Sequence, residues 1–184
     1  MRYRRGDVVA RALQVLDDYG LADLTMRRLG AELGVQPSAL YHHFANKQTL
    51  LAAVADEILL RGRRAQRPEE WDARVDAVCT ELRDAMLAYR DGAEVVATVR
   101  SFGLGAQEPY DEVVAALRDG GLDDELAATA ARTLLHFVLG HVTDEQTQLQ
   151  AAAVGAIDAD VRESSDFAVG LGLVMDGIRK RLAV

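Results

Sequence analysis

The chain has 184 residues, 49% of them apolar and 27% charged, with one cysteine and a net charge of −8. That length allows one sizeable core, or a small module joined to a larger one. No apolar run approaches the roughly 18 residues of a membrane span, and a single cysteine excludes an intrachain disulfide framework or a thiolate metal cluster. The start, Met1-Arg2-Tyr3-Arg4-Arg5, leads into an amphipathic stretch and not a signal-peptide apolar core, so a soluble cytoplasmic protein without membrane contact is expected. Charge is spread unevenly. Residues 1–67 hold 11 Lys+Arg and 7 Asp+Glu, net +4, whereas 68–184 hold 10 and 22, net −12. A surface for a polyanion is therefore expected in the first third, and the acidic remainder needs another role.

Prolines are rare, and apolar residues recur at three- and four-residue spacing almost throughout, which predicts an all-α chain. Val9, Ala12, Leu13 and Leu16 form the stripe of a first helix that Gly20 ends. Thr25 caps a second helix carrying Leu29 and Leu33, closed by Gly34. Gly34-Val35-Gln36 makes a short turn, Pro37 suits the first position of a third helix over 38–44, and Asn46 caps a long fourth helix with Leu50, Leu51, Val54 and Ile58. The stretch 61–68 carries the change from basic to acidic composition and is read as the boundary between domains 1–67 and 68–184. Beyond it, helices are predicted at 69–89, 93–99, 110–119, 123–148 and 163–182, with Gly-containing loops between them. The segment 151–165 reads equally as a short helix or a loop.

The informative run is 24–50: a helix, a three-residue turn, a short helix with a polar outer face, and a capped helix. Such an arrangement presents the short helix to a major groove. Gln36, Ser38, Tyr41, His42 and His43 supply hydrogen-bonding groups and flat rings, while Leu40 and Phe44, four apart, point to the core. Arg27, Arg28 and Lys47 flank the helix. Tripartite helical modules also serve protein–protein interaction, and that reading stays open beside operator binding. A metal site is not expected, because adjacent His42 and His43 diverge by roughly 100 degrees around a helix, and His136 and His141, five apart, also miss the i, i+4 spacing. Cys79, among Val75, Val78 and Leu82, reads as a buried small apolar residue, with a reactive thiol as the alternative. No Gly-rich phosphate loop and no nucleophile elbow are found, so neither an enzyme nor a cofactor is expected.

Thr25, Leu33-Gly34-Val35, Leu40-Tyr41-His42-His43-Phe44, Lys47 and Leu50 together resemble the signature of the TetR family. The resemblance implies an amino-terminal three-helix helix-turn-helix domain and a carboxy-terminal helical domain that binds a ligand and dimerises. It further implies phosphate contacts from Thr25, Tyr41, His43 and Lys47, and base or groove contacts from Arg27, Pro37, Ser38, Ala39 and His42. Double-stranded operator DNA and a small-molecule effector are the partners so implied.

The second part is similar to the tetracycline-repressor subgroup through 87–93, Arg100, Tyr110-Asp111, Phe137-Val138-Leu139-Gly140 and Gln146. Near the end Phe167, Gly170, Leu171, Val174, Gly177 and Ile178 resemble that subgroup's last helix, and the resemblance implies a four-helix homodimer interface that includes Phe137, Gly170, Leu171, Val174, Gly177 and Ile178; the same face as core within one chain is the alternative. Departures carry weight as well. Where the drug-binding relatives place magnesium and drug ligands, this chain has Arg63, Val78, Val96 and Ala116, with Leu82 and Val99 at two further positions. Valine and alanine offer no donor to Mg²⁺. The expected effector is therefore a mainly apolar molecule other than tetracycline, touching Val78, Leu82, Val96, Val99 and Phe102, with Arg100, His136 or Asp144 as polar contacts. Each of these apolar residues is equally consistent with core packing, and Asp144 with a solvated helix-end charge.

Overall fold

A computed structural model describes residues 3–158 and 165–182, and all its regular elements are helices. In order they are α1 (Arg5–Tyr19), α2 (Met26–Leu33), α3 (Pro37–Leu40), α4 (Lys47–Gly62), α5 (Trp71–Leu87), α6 (Gly92–Ser101), α7 (Glu108–Asp119), α8 (Asp124–Ala153) and α9 (Phe167–Leu182). They form two compact units, one comprising Met1–Arg63 with Ala85–Ala106 and the other Arg64–Asp84 with Gln107–Val184. Residues 85–106 follow the 61–68 boundary in sequence, yet cluster with the first 63 because α6 lies against α4.

In the first unit α1 packs on α2 and α4, and α2 on α3. Leu13, Leu16, Leu24, Leu29, Leu40, Phe44, Leu50, Ile58 and Met86 are its large, fully buried side chains. The helix ends follow the sequence. Thr25 Oγ1 accepts from the Arg28 N–H at 3.1 Å, Gly34 is left-handed at φ 65°, and Asn46 Oδ1 accepts from the Thr49 N–H at 2.8 Å. Gly30 admits a close approach: a Cβ there would lie 2.9 Å from the Val35 carbonyl oxygen. Carboxylates secure both ends of α6. Asp91 accepts from the Leu21 N–H and Asp17 from the Arg90 N–H at one end; Asp56 accepts from the Ala106 N–H at 2.8 Å at the other.

The third helix is shorter than its pattern predicts. Helical geometry stops at Leu40, whose carbonyl accepts from both the His43 and Phe44 N–H groups, so 41–44 form hydrogen-bonded turns before the Asn46 cap. The i, i+4 pairing of Leu40 with Phe44 survives because that turn still buries both side chains. α4 ends at Gly62, short of Arg63, Arg64 and Arg67.

In the second unit α8 packs on α7 and α9. Its core includes Val75, Val78, Cys79, Val113, Leu117, Leu134, Leu135, Val138, Leu171 and Met175. Arg67 binds Glu81 with two nitrogens at 2.6 and 2.7 Å and also donates to Glu112, while Arg83 binds Glu145. Gly120 leaves room for Trp71, whose ring would stand 2.6 Å from a Cβ. α7 begins at Glu108, with Pro109 in its first turn where no N–H is needed, and α8 runs on to Ala153. Of the ambiguous 151–165, residues 151–153 are helical and 154–158 are turn and irregular chain. The rest of that segment through 164, and the predicted start of the last helix at 163, lie outside the described residues.

Candidate nucleic-acid interface

The sequence 36–44 builds a short, braced platform. Pro37 starts α3, Leu40 (2% exposed) and Phe44 (1%) anchor it, and the side chains between them are left outward. Ser38, Ala39, Tyr41 and His42 are exposed, and Pro37 and His43 half-buried. Tyr41 is 51% exposed, a large fraction for an aromatic ring that the core does not use.

The flanking residues behave differently from one another. Arg27 on α2 is exposed, and Thr25 is exposed while its hydroxyl caps that helix. Arg28 is folded back along the surface: its guanidinium lies 3.6 Å from the centre of the Tyr19 ring and binds Asp23 at 3.1 Å. Lys47, half-buried at the start of α4, donates a long 3.4 Å hydrogen bond to the Leu21 carbonyl. Thr25, Arg27, Ser38, Ala39, Tyr41, His42, His43 and Lys47 thus all belong to the first unit, on α2, α3, the turn after it and the start of α4. Beside α3 runs a groove of about 660 Å³ lined by Tyr3, Val8, Val35, Ala39, Leu40, His42 and His43. Sequence reasoning gave Tyr3 no role; the basic cluster at the chain start was the available signal.

Two family models match this chain: "Bacterial regulatory proteins, tetR family" over residues 8–54, and "Tetracyclin repressor-like, C-terminal domain" over residues 65–165. The chain belongs to the TetR family of transcriptional regulators. Among curated relatives of this TetR-family chain, the tetracycline repressor protein class A from transposon 1721 of Escherichia coli is 32% identical, covering 96% of this chain and 91% of that protein. Among solved structures, BioQ of Mycobacterium smegmatis is 44% identical with a TM-score of 0.89, covering 96% of this chain and 97% of that one. BioQ with its natural double-stranded DNA operator is 42% identical with a TM-score of 0.81, covering 96% and 98%.

The residues with an expected ligand role divide between the units. Val96 and Val99 on α6 are 0% and 1% exposed, and Val78 and Leu82 on α5 are each 2% exposed. Arg100 donates to the Ala106 carbonyl at 2.8 Å. Phe102 is 61% exposed, and His136 and Asp144 are exposed on α8, so these three are not brought into the buried set. The buried stripe of α8 runs through Ala127, Ala131, Leu134, Val138 and Val142, and positions 136 and 144 turn away from it. Cys79 is buried at 0% exposure, and burial pushes its thiol up to about 12.

The residues with an expected dimer role behave as two groups. Phe137 stacks on Phe167 with ring centres 5.6 Å apart, and its ring would stand 2.7 Å from a Cβ at Gly170. Leu171 and Ile178 are buried with Phe167 and Met175 as the inward stripe of α9, so these positions serve packing inside the chain. Val174 is half-buried and Gly177 exposed. The outward apolar residues of α9 are Val169 and Leu173, 68% and 71% exposed. The sequence analysis named neither, although 169, 173 and 177 repeat at four-residue spacing. Among the described residues no helix is long and apolar enough to cross a membrane.

Proposed function

We propose that this regulator is a homodimeric repressor that binds a palindromic operator and is released by a mainly apolar small molecule. The observation that carries the DNA-binding part is the outward row Ser38, Ala39, Tyr41 and His42 on a segment braced by buried Leu40 and Phe44. It stands in a chain 42% identical to BioQ, which is solved with its double-stranded operator. In this reading 1–67 form the DNA-binding part and 68–184 the ligand-binding and dimerising part. Ser38, Ala39, His42, Pro37 and Arg27 meet base edges and the groove wall, and Thr25, Tyr41, His43 and Lys47 meet phosphates.

The effector reading rests on what the residues with an expected ligand role lack. Val78, Leu82, Val96 and Val99 supply no oxygen or nitrogen donor for a magnesium chelate. An apolar molecule that favours the released conformer by several kcal/mol would empty the operator. The dimer reading is supported by the exposed row Val169, Leu173 and Gly177 on α9, which a second copy would cover.

The test is enrichment of duplexes from a random pool by the full chain. A recovered palindrome with half-sites about one helical turn apart is the expected result. Recovery of no preferred sequence at moderate salt overturns the operator reading.

A further inference from the structure

We propose that Tyr3, Arg4 and Arg5 form a second nucleic-acid contact, which takes the sugar–phosphate backbone flanking the half-site; this rests on the operator reading above. The segment before α1 is not remote from the recognition segment. Tyr3 forms one wall of the 660 Å³ groove whose other walls include Ala39, His42 and His43. A strand of DNA engaged by 38–43 would therefore run past Tyr3.

The charges beside this groove are held in place. The Arg5 guanidinium lies 4.9 Å from the centre of the Phe44 ring. Phe44 directly follows His43 and is 1% exposed, so the stack places a cation against the anchored end of the recognition turn. Arg4, the residue that caps α1, is exposed, and its backbone N–H donates to the Asp7 carboxylate at 2.7 Å. Asp7 is the one acidic side chain in that first turn. A phenol and two imidazoles line the groove over a floor made by Val8 and Leu40, while the Arg5 guanidinium lies on Phe44, next in sequence to His43. A backbone strand suits that chemistry: phosphates pair with the cations, and the apolar edge of deoxyribose meets the floor. Contacts of this kind set register and affinity without reading sequence.

The experiment is an anisotropy titration over a range of salt concentrations with the full chain. The probes are the duplex recovered from the random pool and a scrambled duplex of equal length. The double variant Arg4→Ala/Arg5→Ala is expected to lower the slope of log K against log salt by about 1.8 on both duplexes, two phosphates at about 0.9 each. Arg4→Ala alone, which leaves the Arg5–Phe44 stack intact, is expected to lower it by about 0.9. The double lysine variant, Arg4→Lys/Arg5→Lys, keeps the charges and is expected to keep the slope. An unchanged slope in the alanine variants, with sequence preference retained, removes the arm contact and leaves the operator reading standing. Equal loss of slope in the lysine variant overturns the charge contact in favour of a packing role. A wild-type chain that selects no duplex overturns both readings.

Discussion

The Asp91 carboxylate accepts a hydrogen bond from the Leu21 backbone N–H at 2.7 Å, across a sequence separation of 70. Asp91 holds a left-handed conformation, φ 55°, directly before α6, and Leu21 lies in the connection from α1 to α2. Asp17 returns the contact by accepting from the Arg90 N–H at 3.1 Å. Removing the Asp91 carboxylate strands a backbone donor and leaves a β-carbon in a disfavoured region. Asp91→Ala is expected to lower stability by about 1–3 kcal/mol in urea unfolding. Asp91→Asn, which keeps an acceptor and tolerates the left-handed region, is expected to lose clearly less.

Gly30 tests the close approach of α2 to the recognition turn. A methyl group there meets the Val35 carbonyl oxygen at 2.9 Å and the Pro37 nitrogen at 3.3 Å, and both belong to the backbone. Gly30→Ala is expected to cost about 1–3 kcal/mol, as overpacking does. Differential scanning calorimetry reads the loss, and duplex binding should weaken with it because α3 must shift.

Acid stability should depend on Glu81. Burial pushes its carboxyl up, but the two-pronged Arg67 contact, the Arg64 N–H and the charges of both arginines outweigh burial and hold it below the ordinary glutamate range. The unfolded chain therefore binds the proton more readily. The resulting stability is fully present above the unfolded pKa of about 4.3 and is lost as pH falls through the lower folded value. Glu81→Gln should lower the melting temperature at pH 7 and flatten its decline below about pH 4.3, measured by thermal melts from pH 7 to 3.

Leu173 separates association from folding. Its side chain is 71% exposed on α9, whereas the inward stripe of that helix is Phe167, Leu171, Met175 and Ile178. Leu173→Asp should leave the helical circular-dichroism signal unchanged and shift sedimentation from dimer to monomer. Leu171→Asp, which buries a carboxylate in the α8–α9 packing, should instead unfold the second unit. A dimer that survives Leu173→Asp excludes this face from the interface.

Much of the fold was legible because its signals are local. A cap such as Thr25 or Asn46 acts on an N–H three residues away, and stripes such as Leu29/Leu33 or Leu50/Val54/Ile58 follow from 3.6 residues per turn. The recognition segment was legible for the same reason, since Leu40 and Phe44 mark the inner side and leave Tyr41 and His42 outside. α3 was overextended because spacing alone does not distinguish a helical turn from the hydrogen-bonded turn that follows Leu40. On α9 the inward and outward apolar rows interleave along one helix, and only the position of α8 says which row is covered within the chain. Arg27 and Arg28 make the same point: adjacent in sequence, one is exposed and the other lies on Tyr19.

The sequence by itself determined the helices, the caps at Thr25, Gly34 and Asn46, the basic first third and the inner and outer sides of the recognition turn, all of which depend on neighbours within a few residues. The tertiary structure alone decided that residues 85–106 pack with the first 63, that Asp91 reaches Leu21, that Tyr3 shares a groove with His42, and that Leu171 faces inward while Leu173 does not. Each of those depends on where a distant segment of the chain comes to rest, and residue spacing carries no record of that.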